Sequence, residues 1–169
     1  IARRQRQMCI RDRLENVSQQ EFDLDKYNLE LLVVDTQAPH QLNDGQYAQR
    51  RATCEEAAKI LGVANLRVTA DGISKADDQF QALKETLDAL PDETMKKRVR
   101  HVVTEIERVR SFVRAFAQGD IKAAGRLFNA SHDSLAADYE VTVPELDIAV
   151  DVARKNGAYG CLLYTSDAA

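Results

Sequence analysis

Three consecutive residues, Ser131-His132-Asp133, spell a nucleophile, a general base and an orienting carboxylate. A hydrolytic triad needs those side chains to converge, with the imidazole between hydroxyl and carboxylate. Consecutive residues on a helix point in different directions, so this run cannot assemble one. The other histidines, His40 and His101, stand far from His132 and from each other, without the close pairing or Cys/His spacing of a zinc site. All three read as surface or structural histidines. Arg98-Val99-Arg100-His101 offers positive charge to an anion, but Glu105 and Glu107 follow on the same helical pattern, which favours a solvated or ion-paired face. The sequence holds no glycine-rich phosphate loop.

The elements that must carry these residues are mostly helical. Leu29 to Asp35 is a short apolar, β-branched run that reads as a buried strand, followed by a turn-rich loop over 37–45. From Gln46 the spacing becomes helical, with Tyr47, Cys54, Ala58 and Leu61 on one face and Gly62 placed to stop the helix. Phe80, Leu83, Leu87 and Leu90 mark a second helix ended by Pro91. A long third one runs from Met95 through Val99, Val103, Ile106 and Phe116 to Gly119. Asp120 caps a fourth, carrying Ile121, Ala124, Leu127 and Phe128. Thr142-Val143-Pro144-Glu145 has the form of a capping box, which predicts a fifth helix through Leu146, Ala149, Val150 and Ala153. One strand and five helices leave the strand without partners, so its sheet must be completed by residues outside this segment.

The two ends read differently from the rest. Five of the 23 Lys and Arg residues (Arg3, Arg4, Arg6, Arg11 and Arg13) fall in the first 13 positions, which on its face suggests a basic arm for nucleic acid. Back-translation points elsewhere. The DNA TGT CTC TTA TAC ACA TCT GAC GCT GCC encodes Cys161 through Ala169 and resembles the transposase end and adapter used to fragment DNA for sequencing libraries. Its opposite strand, extended by the adapter's next bases, encodes Arg3 through Asp12 and begins an Arg13 codon. Residues 1–13 and 161–169 are therefore expected to be translated adapter, leaving 14–160 as one partial domain.

Without Asp12, Asp167 and the five arginines, the totals of 23 basic and 27 acidic residues fall to 18 and 25, a formal charge of −7. Nucleic acid is then an unexpected partner, because the charge term that dominates such binding has the wrong sign. Cys54 alone survives of three cysteines, which removes any disulfide framework and suits a reduced cytosol. The longest apolar runs fall well short of the roughly 20 residues of a membrane span. These properties predict a cytoplasmic protein that does not associate with membranes.

Three blocks carry a family resemblance. They are Tyr-x-x-Arg-Arg-x-x-Cys-Glu from Tyr47 to Glu55, Arg-His-Val-Val-x-Glu from Arg100 to Glu105, and Ser131-His132-x-Ser134-Leu135 with Asp138-Tyr139-Glu140-Val141 and Pro144-Glu145-Leu146-Asp147. In this order they resemble the C-terminal part of galactokinases, within the superfamily of galacto-, homoserine, mevalonate and phosphomevalonate kinases. The resemblance covers nearly all of 14–160. It implies an α+β fold, with this segment as the helix-rich part of the C-terminal domain of a two-domain sugar kinase whose antiparallel sheet is incomplete here.

The implied reaction moves a phosphoryl group from ATP to the anomeric hydroxyl of α-D-galactose, giving galactose 1-phosphate. A carboxylate, Mg2+ and amide donors would supply positioning and charge stabilisation. By the same resemblance the catalytic Asp, the ATP loop and the Mg2+ ligands precede Leu14, and a glycine-rich strand follows Tyr159-Gly160 where Cys161 now stands. The 169-residue chain alone is therefore expected to be inactive. Tyr47 is the one residue that matches a substrate contact of the family, its phenol meeting a galactose hydroxyl; from spacing alone it reads as a core tyrosine. Arg50 and Arg51 are expected to support the fold rather than touch phosphate. Two other functions fit the same blocks: a kinase for N-acetylgalactosamine or arabinose, and a non-catalytic sensor that binds sugar and nucleotide.

Overall fold

The computed structural model describes residues 23–38 and 45–163, apart from the side chains of Gln46 and Tyr47. The chain divides into two compact units, residues 1–33 with 163–169, and residues 34–162. Of the first, residues 23–33 and 163 are described. They form a single 3-10 turn, Asp25–Tyr27, closed by Asn28 in the left-handed region at φ 51°. Leu29 N–H returns to the Leu24 carbonyl at 3.1 Å.

The expected strand over Leu29–Asp35 does not form. Among the described residues there is no β-ladder, and Leu31, Leu32 and Val33 are 77–79% exposed. An apolar, β-branched run favours extended backbone, but a strand is completed only by partners that take up its N–H and C=O groups. Those partners are absent from the described residues, which are helix-rich throughout.

The described residues of the second unit form six α-helices: α1 (Gln46–Ile60), α2 (Leu66–Ser74), α3 (Gln79–Asp88), α4 (Glu93–Ala117), α5 (Ile121–Ser134) and α6 (Pro144–Lys155). A five-residue π-helical turn, Leu135–Tyr139, prolongs α5. At 25 residues α4 is about 37 Å long. It packs against α1, α2, α3, α5 and the π-helical turn. The apolar core lies along one side of it, where Met95, Val99 and Val103 meet Ala57 and Ala58 of α1, Leu66 and Ala70 of α2, and Leu87 and Leu90 at the end of α3. Val99 has no exposed surface.

Helix starts are set by side-chain caps. Asp78, Asp92 and Asp120 accept from the N–H three residues on at 2.8–2.9 Å, and Asn65 accepts from Arg67 and Val68 N–H. Each such cap stabilises by about 1 kcal/mol. Asn65 starts α2, a helix the sequence reading leaves out: it is nine residues long, and its apolar positions Leu66, Ala70 and Ile73 make only two turns.

The expected capping box also fails. Helix α6 begins with Pro144 in its first turn and Val143 as the unassisted cap, while the Thr142 hydroxyl donates to Asp147 Oδ2 at 3.4 Å. Pro144 supplies a preset φ and has no N–H to satisfy, which reduces the need for a hydroxyl cap.

After α6 the chain returns across α5. The Gly125 backbone and the Tyr159-Gly160 backbone touch so closely that a β-carbon on Gly125 would sit 2.2 Å from the Tyr159 carbonyl oxygen. Asn129 fixes the crossing from the next turn, accepting from Cys161 N–H at 3.0 Å and from Arg154 Nε at 3.0 Å. Cys161, expected to be adapter-derived, thus donates one backbone bond; residues 1–13 and 164–169 lie outside the described residues.

Candidate functional site

Among the described residues, charged side chains of α1 and α4 converge on the triplet Asp138-Tyr139-Glu140. It leaves the π-helical turn with Glu140 in the left-handed region, at φ 54° and ψ 51°. A non-glycine residue there carries a backbone cost and persists when its surroundings hold it. Three helices supply the hold. From α4, Arg98 donates to the Asp138 carbonyl and to Glu140 Oε2, the latter at 2.7 Å, while Lys97 reaches Glu140 Oε1 at 3.2 Å. Arg100 pairs with Asp138 Oδ1 at 2.8 Å. From α5, the Ser134 hydroxyl donates to Asp138 Oδ2 at 3.3 Å. From α1, Arg50 donates through Nε to the Tyr139 carbonyl at 3.0 Å and through Nη2 to the Glu140 carbonyl at 2.7 Å.

The Tyr139 ring is packed from several sides. The His101 ring lies against it, tilted by 31° with centroids 4.5 Å apart, and the guanidinium carbons of Arg98 and Arg50 lie 5.6 and 5.9 Å from its centroid, within cation–π range. Nearby on α1, burial raises the pKa of the Cys54 thiol above the ordinary thiol value. Hydrogen bonds from Arg98 and Lys97 lower the Glu140 pKa. Burial lowers that of the His101 imidazole, against partial compensation from Glu105 and Asp138. His101 Nδ1 lies 2.9 Å from Ser134 Oγ, so the neutral ring has a partner.

Sequence reasoning sorted these residues unevenly. Arg98 and Arg100 are ion-paired, as expected of that run, but with Glu140 and Asp138 about forty positions away rather than with Glu105 and Glu107. Glu105 pairs with Arg108, and Glu107 with Arg114. Arg98 is moreover buried, 7% exposed, and does not belong to a solvated face. Arg50 supports the fold, as expected, while Arg51 makes a surface pair with Glu55 at 2.8 Å.

Ser131, His132 and Asp133 do point apart. They meet Glu105 at 2.7 Å, Asp147 at 3.2 Å and Arg154 at 2.8 Å respectively. The His132–Asp147 pair is within ion-pair distance without hydrogen-bond geometry. His101 and His132 are both buried. His40 falls outside the described residues.

Tyr47 is the second residue of α1, whose N-terminus follows Gly45 in the left-handed region at φ 71° with no side-chain cap. Its own side chain lies outside the described residues. No three His, Cys, Asp or Glu side chains among the described residues are grouped so as to hold a metal ion. Nor does any described helix have the length and apolarity to cross a membrane.

Residues 112–164 match the family profile described as "GHMP kinases C terminal". A galactokinase of Streptomyces coelicolor is 42% identical over 140 residues, 82% of this chain and 34% of that protein. One of Haemophilus influenzae is 42% identical over 124 residues, 73% of this chain and 30% of its own length. The chain thus spans about a third of the curated relatives it matches. Among solved structures, Lactococcus lactis galactokinase complexed with galactose superposes with a TM-score of 0.61 at 34% identity, over 72% of this chain and 30% of that one. Residues 112–164 thus carry the C-terminal profile of the GHMP kinases, and the chain is similar in sequence and in fold to about a third of these galactokinases.

Proposed function

We propose that this chain is the C-terminal portion of an ATP-dependent kinase that phosphorylates α-D-galactose at its anomeric hydroxyl to give galactose 1-phosphate in the cytoplasm. The observation that carries this reading is the 42% identity to a galactokinase across four-fifths of the chain, running through α1 and the Asp138–Glu140 turn. The structural neighbour's bound galactose supports the sugar, and the kinase family supports ATP with Mg2+. The described residues offer no grouped donors for Mg2+. No step of phosphoryl transfer is assigned to them; nucleotide, metal and catalytic carboxylate belong to the rest of the enzyme. The α+β character of the domain belongs there too. The related-sugar and sensor readings have no observation in their favour.

Tyr47 is this segment's contribution to substrate recognition, its phenol meeting one galactose hydroxyl. Replacing it with Phe in a full-length kinase that carries this segment keeps the ring and removes one neutral hydrogen-bonding group. That interaction is typically worth about 0.5–1.5 kcal/mol, a roughly twofold to tenfold loss in kcat/KM for galactose. ATP affinity should stay constant. A lower Tm with unchanged kcat/KM would make Tyr47 a packing residue instead.

A further inference from the structure

We infer that Arg50 is a positioning residue for galactose binding, setting the first turn of α1 against the Asp138–Glu140 turn so that Tyr47 meets the sugar in one register; this rests on the sugar contact assigned to Tyr47 above. Helix α1 is held unevenly. Its buried residues, Ala57 and Ala58, lie in its last turn, where they join the core. Its first turn, in which Tyr47 stands, has no side-chain cap. Among the described residues, apolar packing therefore fixes the far end of the helix.

Arg50, one turn after Tyr47, supplies a polar hold. Its planar guanidinium bridges two successive carbonyls, Tyr139 at 3.0 Å and Glu140 at 2.7 Å. Two bonds from one rigid fork fix direction as well as distance, which a lysine ammonium does not do. The carbonyls are aimed by the left-handed conformation of Glu140, and that conformation is held by Arg98 and Lys97 on the Glu140 carboxylate. A chain of contacts thus runs from the middle of the unit, through α4 and the turn, to the first turn of α1. Arg50 touches protein carbonyls and acts on the sugar only through Tyr47.

The test is a double-mutant cycle in the full-length kinase, with Arg50→Lys, Tyr47→Phe and the pair, each checked for folding by Tm. Misplacing a contact by a fraction of an ångström should raise the galactose KM of Arg50→Lys roughly tenfold, with the ATP KM within about twofold of wild type. The Tyr47→Phe loss should shrink to less than about twofold in the Arg50→Lys background, because a displaced phenol no longer contributes. Additive losses, or a Tm drop with unchanged galactose KM, would overturn the inference and leave Arg50 as a fold-stabilising residue.

Should Arg50→Lys fail to fold, Glu140→Gln takes its place in the cycle. Its exposed side chain tolerates exchange, and loss of charge loosens the grip of Arg98 and Lys97 on the turn. It should raise galactose KM in the same direction and show the same coupling to Tyr47; independence from Tyr47 would count against the inference. If Tyr47→Phe alone leaves galactose kinetics untouched, the fault lies in the sugar-contact reading. A clear Tyr47→Phe effect without coupling refutes the positioning role alone.

Discussion

Gly125→Ala should destabilise this protein, although the same exchange in an ordinary helix interior stabilises by about 1 kcal/mol. The position is buried within α5, and the new β-carbon would lie 2.2 Å from the Tyr159 carbonyl oxygen, 2.5 Å from its carbon and 2.9 Å from the Tyr159 β-carbon. Two of those contacts are backbone, which cannot rotate away as a side chain can. The crossing segment must shift by about 1 Å or more to restore ordinary van der Waals separation, near 3.5 Å. That shift breaks the 3.0 Å bond from Cys161 N–H to Asn129 and the longer one from Asn129 Nδ2 to the Tyr159 carbonyl.

Overpacking of this kind costs about 1–3 kcal/mol, and each lost hydrogen bond about another 1 kcal/mol. Against the helix-propensity gain, the net is a loss of roughly 2–4 kcal/mol. In a chain of this size that lowers Tm by about 2–4 °C per kcal/mol. Gly72→Ala is the control: it is helical and exposed, its β-carbon would meet nothing within 4 Å, and it should stabilise. Urea unfolding of both variants beside the parent chain reads the two signs. A Gly125→Ala variant stabilised as much as Gly72→Ala would refute the close crossing and the seating of residues 159–161 on α5.

Val99→Ala, at the one side chain with no exposed surface among the large buried ones, should cost about 2–3 kcal/mol by lost burial and cavity formation, read as a lower urea midpoint with unchanged m. Burial depresses His101, so the unfolded chain takes up a proton near its ordinary pKa of about 6.5 before the folded chain does. Its contribution to stability is present above that pH and lost as pH falls below it, so Tm measured from pH 7.5 to 5.5 should decline, and less steeply in His101→Gln. Glu140 has its pKa lowered by Arg98 and Lys97; its share is present above the ordinary carboxylate range and lost only at more acidic pH. The 169-residue chain by itself should form no galactose 1-phosphate above a no-protein control, since the phosphate, metal and base positions are assigned to the rest of the enzyme.

Periodicity exposed the long elements and hid the short or cooperative ones. Helix α4 was readable because apolar residues recur at helical spacing over its length, and α5 because Asp120 follows Gly119 as a start signal. Helix α2 escaped because nine residues give periodicity little room, though Asn65 was a usable start signal. Leu29–Asp35 was read by its propensity, yet a strand exists only in the ladder it shares. The capping box failed because Thr142 has a competing acceptor in Asp147, a contact that becomes visible only once the chain has turned.

The candidate site divides in the same way. The blocks around Tyr47, Arg100 and Asp138 were recognisable as strings of letters. What joins them was not, because Arg50 and Arg98 reach partners some ninety and forty positions away. No local spacing rule encodes a bond to a backbone carbonyl that a left-handed residue has turned toward its donor. The available signal was Asp138-Tyr139-Glu140 itself, two acids flanking an aromatic directly after a helix in a chain with paired arginines at 50–51 and at 98 and 100.

The central claim is tested most directly by the product of the full-length kinase. Purified from a host lacking its own galactokinase and supplied with galactose, ATP and Mg2+, it should yield one ADP per sugar phosphate, and NMR of that product should place phosphorus on the anomeric oxygen in the α configuration. Turnover of N-acetylgalactosamine or arabinose in preference to galactose, phosphate at another hydroxyl, or sugar and nucleotide binding without turnover would contradict the account.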